Sequence, residues 1–468
     1  MGNRMIVTAI LVVCVVLGTG LWATARQVTG QSNIVDPSME QAKDIYISAS
    51  DEAAMPEKPV IASHYGAEQA TTVHPILRWS RIDGAVMYDV QVLEKHVADG
   101  TETETYDMIM PMKRAYTNAC ELALPENFTA DHFYWRVRGL ALDGHAVSAY
   151  SDLEETYVDH LKPVLEKPTT LSVYNQGRGQ VLLYPVYDWI AVPEAASYEL
   201  EIMDEAPENP NGIEPSIHRI EAYYPQYAEQ YDAKSHVSDS PFYWRVRALD
   251  KDGHPLGVYS DASSFVTDPS VSYAAAIFGD SISHGGGSIS YSPTDWDFSY
   301  GSYLDFPTIN LSQSGDTSEM TAKRFDQDVL PFHPAYLLIL MGSNSIRAGV
   351  PASDVIADME YVRKQCLEHG IKPVFLTMPP FNADNIKKAF NEPTAYGWSR
   401  QVQLVNEYIR SHVHIDITEN MEDENGDLRT ELALDGLHLD PPGKRMMAEA
   451  INKAWPDIIA LPDSAWKQ

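Results

Sequence analysis

The chain has 468 residues, a length that suggests about three domains. Apolar residues make up 44% and charged residues 21%, an ordinary globular balance that excludes a largely disordered chain. A formal charge of −32 argues against a nucleic-acid backbone or an anionic membrane surface as the main partner, because like charges repel.

Arg4 precedes an apolar run from Met5 to Trp22 that ends in Ala23-Thr24-Ala25. A basic start, an apolar stretch and a small-x-small ending predict a secretory signal over residues 1–25. The run is also just long enough to span a bilayer, so an uncleaved membrane anchor stays open beside the cleaved signal. Leu11-Val12-Val13-Cys14 is a weak lipoprotein signal, because Val13 is bulky and the apolar run continues past Cys14. The two leading readings put the rest of the chain outside the cytoplasm, secreted or anchored. Residues 26–55 are polar and acidic and read as a linker. The other cysteines, Cys120 and Cys366, offer neither a disulfide framework nor a zinc spacing, and are expected as isolated buried thiols.

Next comes an internal repeat. Residues 133–152 (FYWRVRGLALDGHAVSAYSD) and 242–261 (FYWRVRALDKDGHPLGVYSD) match at thirteen of twenty positions, at an offset of 109. Upstream, Pro75, Trp79, Ala85 and Tyr88 are answered by Pro185, Trp189, Ala195 and Tyr198 at an offset of 110. A unit of that length is too long for a solenoid repeat and fits a β-sandwich domain. Val86, Tyr88, Val90 and Val92 alternate with less apolar neighbours, which is strand period. The Y-W-R-V-R segments alternate too, with the arginines expected on the outer face. Asp143-Gly144 and Asp252-Gly253 fall where a hairpin turns. Both units resemble fibronectin type III domains, over residues 56–159 and 160–269. That resemblance implies spacer or docking modules.

From residue 270 onward short apolar runs alternate with helical periods. Ala274–Phe278, Ile309–Leu311, Tyr336–Met341, Val374–Met378 and Val413–Ile417 read as strands. Val355, Ile356, Met359, Val362 and Leu367 fall at helical spacing, with Ser353 as N-cap and Gly370 past the end. A last helix follows Pro441-Pro442. Alternating β and α elements predict a parallel sheet with helices on both faces, with ligands at the carboxyl ends of its strands.

Those ends carry the polar residues. The first strand runs into Gly279-Asp280-Ser281, the second into Ser314-Gly315-Asp316, the third into Gly342-Ser343-Asn344-Ser345, and Asp435-Gly436-Leu437-His438 lies downstream. Serine needs an adjacent base to act as a nucleophile, and histidine, here His438, is the residue type whose intrinsic range suits that task. An aspartate three residues earlier, Asp435, can hold the imidazole in one tautomer. An acyl-transfer intermediate needs donors for its oxyanion, which the backbone N–H groups of Ser281 and Gly315 and the amide of Asn344 can supply.

This ordered set resembles the SGNH hydrolases, the GDSL-type esterases and lipases, across residues 270–468. The resemblance implies an α/β/α domain with a flavodoxin-like sheet. It also implies a serine esterase with Ser281, Asp435 and His438 as catalytic residues and Ser281, Gly315 and Asn344 as oxyanion donors, needing no cofactor and no metal. The third block departs from the usual G-x-N-D pattern, because Ser345 stands in place of Asp. Asp280, Trp296, Asn382 and Trp398 are candidate substrate contacts, and Gly285-Gly286-Gly287 a candidate part of the substrate mouth. The setting suggests short acyl esters on an envelope or extracellular glycan. Two alternatives stay open: acyl transfer to a glycan through the same site, and an adhesion or scaffold protein with a degenerate hydrolase domain.

Overall fold

The computed structural model describes residues 55–467 apart from 56, 83, 98–103, 165, 172–179 and 288–294, so the predicted signal or anchor lies outside the described residues. Among those described, no helix is long and apolar enough to cross a membrane.

The first repeat unit forms β1 (Ile76–Arg78), β2 (Met87–Val97), β3 (Glu104–Met108), β4 (Lys113–Ala115), β5 (Ala119–Glu121), β6 (His132–Leu140) and β7 (Glu154–Tyr157). One antiparallel sheet runs β3-β2-β6-β7 with β4 also on β2, and β1 pairs with β5. Period-2 patterning decides which side faces the core: Phe133, Trp135 and Val137 of β6 are fully buried. Trp79 packs edge-on against Tyr88 at 5.4 Å, and the Tyr88 hydroxyl accepts the Ile82 N–H.

After β8 (Gln180–Leu182), the second unit repeats this with β9 (Val186–Asp188), β10 (Ser197–Met203), β11 (Arg219–Tyr223), β12 (Glu229–Tyr231), β13 (Ser238–Leu249) and β14 (Ser263–Thr267). The larger sheet runs β11-β10-β13-β14, and β9 pairs with β12. Trp189 meets Tyr198 edge-on at 5.1 Å, and the Tyr198 hydroxyl accepts the Val192 N–H. The offset of 110 therefore reproduces a whole side-chain constellation. Arg245 lies on the expected face, opposite Trp244 and Val246, but is covered there. It is fully buried, held by Glu201 at 2.7 Å and by the backbone and side-chain oxygens of Asn209.

The third unit holds β15 (Ala275–Gly279), β16 (Thr308–Asn310), β17 (Tyr336–Leu340), β18 (Lys372–Leu376) and β19 (His414–Ile415), each close to its predicted position. Its helices are α1 (Ser281–His284), α2 (Ser318–Lys323), α3 (Phe325–Asp328), α4 (Ser343–Arg347), α5 (Ala352–Glu368), α6 (Ala383–Phe390), α7 (Trp398–Arg410) and α8 (Pro441–Ile459). The sheet is parallel, with order β19-β18-β17-β15-β16-β8. The chain winds outward to one side of β15 and then crosses to the other. The carboxyl end of β15 is thus the topological switch point, where α/β sheets open a crevice.

The sixth strand was not foreseen. The sequence reading assigns residues 160–269 to the second sandwich, yet β8 pairs with β16 as the edge of the third unit's sheet. Leu183 and Tyr184, just after it, enter the α/β core. The Tyr184 hydroxyl donates to Asp328 at 2.7 Å, and its carbonyl oxygen lies 2.9 Å from Nε2 of the buried His284.

The first sandwich also meets the α/β unit. Arg81 pairs with Asp295 at 2.9 Å and with Asp297, and Val86, Met87 and Leu140 pack on Phe298. Between the sandwiches, the connecting segment is tied down at Glu166. Its carbonyl accepts the Val258 N–H at 3.0 Å, and its carboxylate lies 2.9 Å from Nδ1 of His74.

Candidate active site at the carboxyl end of the parallel sheet

Asp280 follows β15 and caps α1, accepting the Ile282 N–H at 3.1 Å. The turn this produces presents the next residue, Ser281, at the sheet edge. Ser281 Oγ lies 2.9 Å from Nε2 of His438. On the far side of the ring, Nδ1 lies 2.8 Å from Asp435 Oδ2. With Nδ1–H donating to the carboxylate, Nε2 is left to accept the serine proton. Asp435 Oδ1 also accepts the Leu437 and His438 N–H groups, both at 2.8 Å, so the D-G-L-H turn grips its own carboxylate. Burial pushes the Asp435 carboxyl up. The His438 ring and the two N–H groups outweigh it and hold the pKa below the usual carboxylate range.

The three oxyanion candidates flank this chain. Neither the Ser281 N–H nor the Gly315 N–H has an acceptor among the described residues. Gly315 sits at φ +90 with open space where a Cβ would be, so glycine is required by the backbone conformation and not by crowding. Asn344 Nδ2 donates to the Asp316 carbonyl at 2.9 Å, which leaves one amide hydrogen for a ligand. Arg347 Nη1 lies 3.4 Å from Asn344 Oδ1, an orientation that keeps the NH2 end turned the other way.

Ser345, the departure from G-x-N-D, is buried and accepts the Ser318 N–H at 2.9 Å. The Ser345 and Ser318 hydroxyls are 3.1 Å apart, and Ser318 Oγ donates to Asp358 at 2.6 Å. A carboxylate from α5 is thus relayed to the loop position where the usual pattern places one directly.

The four candidate substrate contacts are not brought together. Asp280 is buried, and its second oxygen accepts the N–H and hydroxyl of Ser343 at 3.2 and 2.6 Å. It ties the first and third loops together and is 1% exposed. Asn382 caps α6 through the Asn385 N–H, donates its amide to the Leu428 carbonyl, and through its own N–H holds the Gly436 carbonyl. It positions the D-G-L-H turn. Trp398 opens α7 and packs on Phe381 at 5.1 Å. Trp296 lies in the short turn Trp296–Phe298 that Arg81 grips. The glycine run is likewise internal: Gly286 donates to the Phe298 carbonyl, and a Cβ on Gly287 would meet Phe298 at 2.5 Å and Asp440 at 2.7 Å.

Three supporting residues gave no signal in the sequence. Lys444 is fully buried and donates to the Ile282 carbonyl at 2.8 Å, steadying the turn that carries Ser281; burial lowers its ammonium to about 8. Phe390 faces His438 with ring centroids 6.0 Å apart, and Arg347 lies over Phe390 at 5.5 Å.

Residues 277–446 match the GDSL-like lipase/acylhydrolase family. The chain is 25% identical over 172 residues to YqeF, an uncharacterised lipoprotein of Bacillus subtilis, an alignment covering 31% of this chain and 71% of that one. Similar solved structures include one described as a putative acylhydrolase from Bacteroides fragilis (19% identity, 39% of this chain and 86% of that one, TM-score 0.32). Another is described as a GDSL-like lipase from Bacteroides thetaiotaomicron (18% identity, 40% and 88%, TM-score 0.33).

Proposed function

We propose, for a chain whose C-terminal part is a GDSL-like serine hydrolase domain acting on esters, that Ser281 is the nucleophile, His438 the base and Asp435 its orienting carboxylate. The observation that carries this reading is the continuous hydrogen-bonded chain from Ser281 Oγ through His438 to Asp435, at 2.9 and 2.8 Å.

Ser281 Oγ attacks the acyl carbonyl carbon while its proton passes to His438 Nε2. Negative charge collects on the carbonyl oxygen and is met by the Ser281 and Gly315 N–H groups and the Asn344 amide. Asp435 stabilises the imidazolium without taking its proton. The C–O bond to the alcohol then breaks, and the alcohol leaves with the proton from His438. Water, deprotonated by the same nitrogen, attacks the acyl-enzyme, frees the carboxylic acid and restores Ser281.

The acyl group is short and the alcohol belongs to an envelope or extracellular glycan. A nucleophile only 3% exposed, with the Phe390 ring against its His438 partner, supports a small acyl group. The chain works outside the cytoplasm, a reading supported by the signal-like residues 1–25 and by similarity to a protein named as a lipoprotein. The two sandwiches are of fibronectin type III kind, supported by their repeated tryptophan–tyrosine pairs.

The test is hydrolysis of chromogenic esters from acetyl to decanoyl by the chain and its Ser281→Ala variant. Short chains should be cleaved fastest, with a loss of about 10³-fold or more in kcat in the variant. A long-chain optimum would refute the short-acyl reading. Unchanged turnover in the variant would refute the assignment of the nucleophile.

A further inference from the structure

Far from Ser281, where the two sandwiches meet, three side chains converge on one point. His74 precedes β1, Glu121 ends the adjacent β5, and Glu166 lies in the segment connecting the sandwiches. One ligand-type atom from each of the three lies within 4.8 Å of the other two. Two of them are carboxylates with little access to water: Glu121 is 5% exposed and Glu166 8%. Glu166 has the His74 ring at 2.9 Å. The Glu121 carboxyl is hydrogen-bonded to that of Glu166. Lys113, the nearby cation, spends its ammonium on the Glu121 backbone carbonyl at 3.0 Å. Two buried carboxyl groups in contact hold together by sharing a proton or by taking up a cation.

We propose that His74, Glu121 and Glu166 bind a divalent cation of the zinc class that fixes the junction between the two sandwiches. One imidazole nitrogen with two carboxylate oxygens is a donor set suited to Zn2+, with water completing a four-coordinate shell. Ca2+ and Mg2+ fit it poorly, since they take six or more oxygen ligands. Two ligand atoms in a four-coordinate zinc shell stand about 3.3–3.6 Å apart, so atoms that lie within 4.8 Å of one another draw together by at most about 1.5 Å on binding. The cation takes the place of the proton that Glu121 and Glu166 otherwise share.

The position defines the consequence. His74 and Glu121 belong to the first sandwich, whereas Glu166 is laced to the second. The Val258 N–H donates to the Glu166 carbonyl, and Gly257 lies so close that a Cβ there would stand 2.0 Å from that oxygen. An ion held by all three ties the first sandwich to the second through side chains alone.

The test is calorimetric titration of the full chain, stripped with chelator, with ZnCl2, alongside metal analysis after dialysis. Glu121→Gln, which keeps size and removes charge, and His74→Ala are measured in parallel, with circular dichroism as the control for folding. One zinc per chain, a raised unfolding midpoint with zinc, and at least a tenfold weaker affinity in both folded variants are expected. No saturable zinc binding, or binding unchanged in either folded variant, would overturn the proposal. CaCl2 at the same concentration should leave the unfolding midpoint unmoved, and an equal rise with calcium would overturn the zinc-class assignment.

Discussion

At the scale of single residues, Ser345 poses a sharper question than the reacting groups. The usual aspartate of G-x-N-D is replaced by a hydroxyl that reaches Asp358 through Ser318. Burial already raises the Asp358 carboxyl above its ordinary range. Restoring the usual residue, Ser345→Asp, puts a second carboxylate into that buried relay. The expected cost is about 1–3 kcal/mol of stability, with more than half recovered in the double variant Ser345→Asp, Asp358→Asn, read by urea unfolding. Additive effects of the two substitutions would show that the relay is not a coupled unit. Ser281, Gly315, Asn344 and His438, the groups proposed for the reaction, stand out in the sequence because each follows an apolar run or closes the last loop. The residues that hold them were not. Asp280 and Ser343 meet only because β15 and β17 are neighbours, a fact of strand order that local pattern does not carry. Asn382 and Trp398 show the same limit: sequence places a loop near a site without saying which way its side chains turn.

At the scale of elements, helix periodicity found α5, but its start differs from expectation. Pro351 takes the N-cap position, and Ser353 lies inside the helix with its hydroxyl on Asp354. Proline fixes the backbone there where a serine cap would have had to fold back. α5 is joined to α7 by Glu360, which accepts from Arg363 at 2.7 Å and from the Tyr408 hydroxyl at 2.8 Å. The Arg363 hydrogen bond outweighs burial and, with Tyr408, lowers the Glu360 carboxyl to about 2. Because its folded pKa lies below its unfolded value, this group stabilises the fold above about pH 4.5, and that contribution is lost as pH falls towards 2. For a side chain 27% exposed, screening leaves about 1 kcal/mol. Glu360→Gln should therefore lose about that much less stability than the parent between pH 4.5 and pH 2, measured by denaturant unfolding at each pH. Parallel curves for the two proteins would show that the bridge carries no net charge energy.

At the scale of the whole molecule, the repeat was plain in the sequence and the way its units interlock was not. A three-residue strand such as β8 lacks the length for a periodic signal, and its sheet partner is remote in the chain. The consequence is measurable. A fragment of residues 270–468 loses β8, the Tyr184 hydroxyl on Asp328, and the carbonyl that faces His284. It leaves the β16 edge open to pairing with other chains. Such a fragment should be aggregation-prone, with an unfolding midpoint at least about 5 °C below that of the full chain, whereas a fragment of residues 160–468 should keep β8 and stay monomeric. Equal midpoints for the two fragments would mean that β8 contributes nothing to the hydrolase sheet.

The same strand bears on how the chain is made. Gln180–Leu182 leaves the ribosome about 130 residues before Thr308–Asn310, the strand it pairs with. At ~5–20 residues per second, that is a wait on the order of 10 s with an unpaired edge. The second sandwich can close its own sheets in that interval and hold the strand out like a peg for the later sheet to find. Exchange of the hydrolase unit between proteins by cutting at the apparent domain border would leave that peg behind, so the heritable module is longer than the catalytic domain it serves.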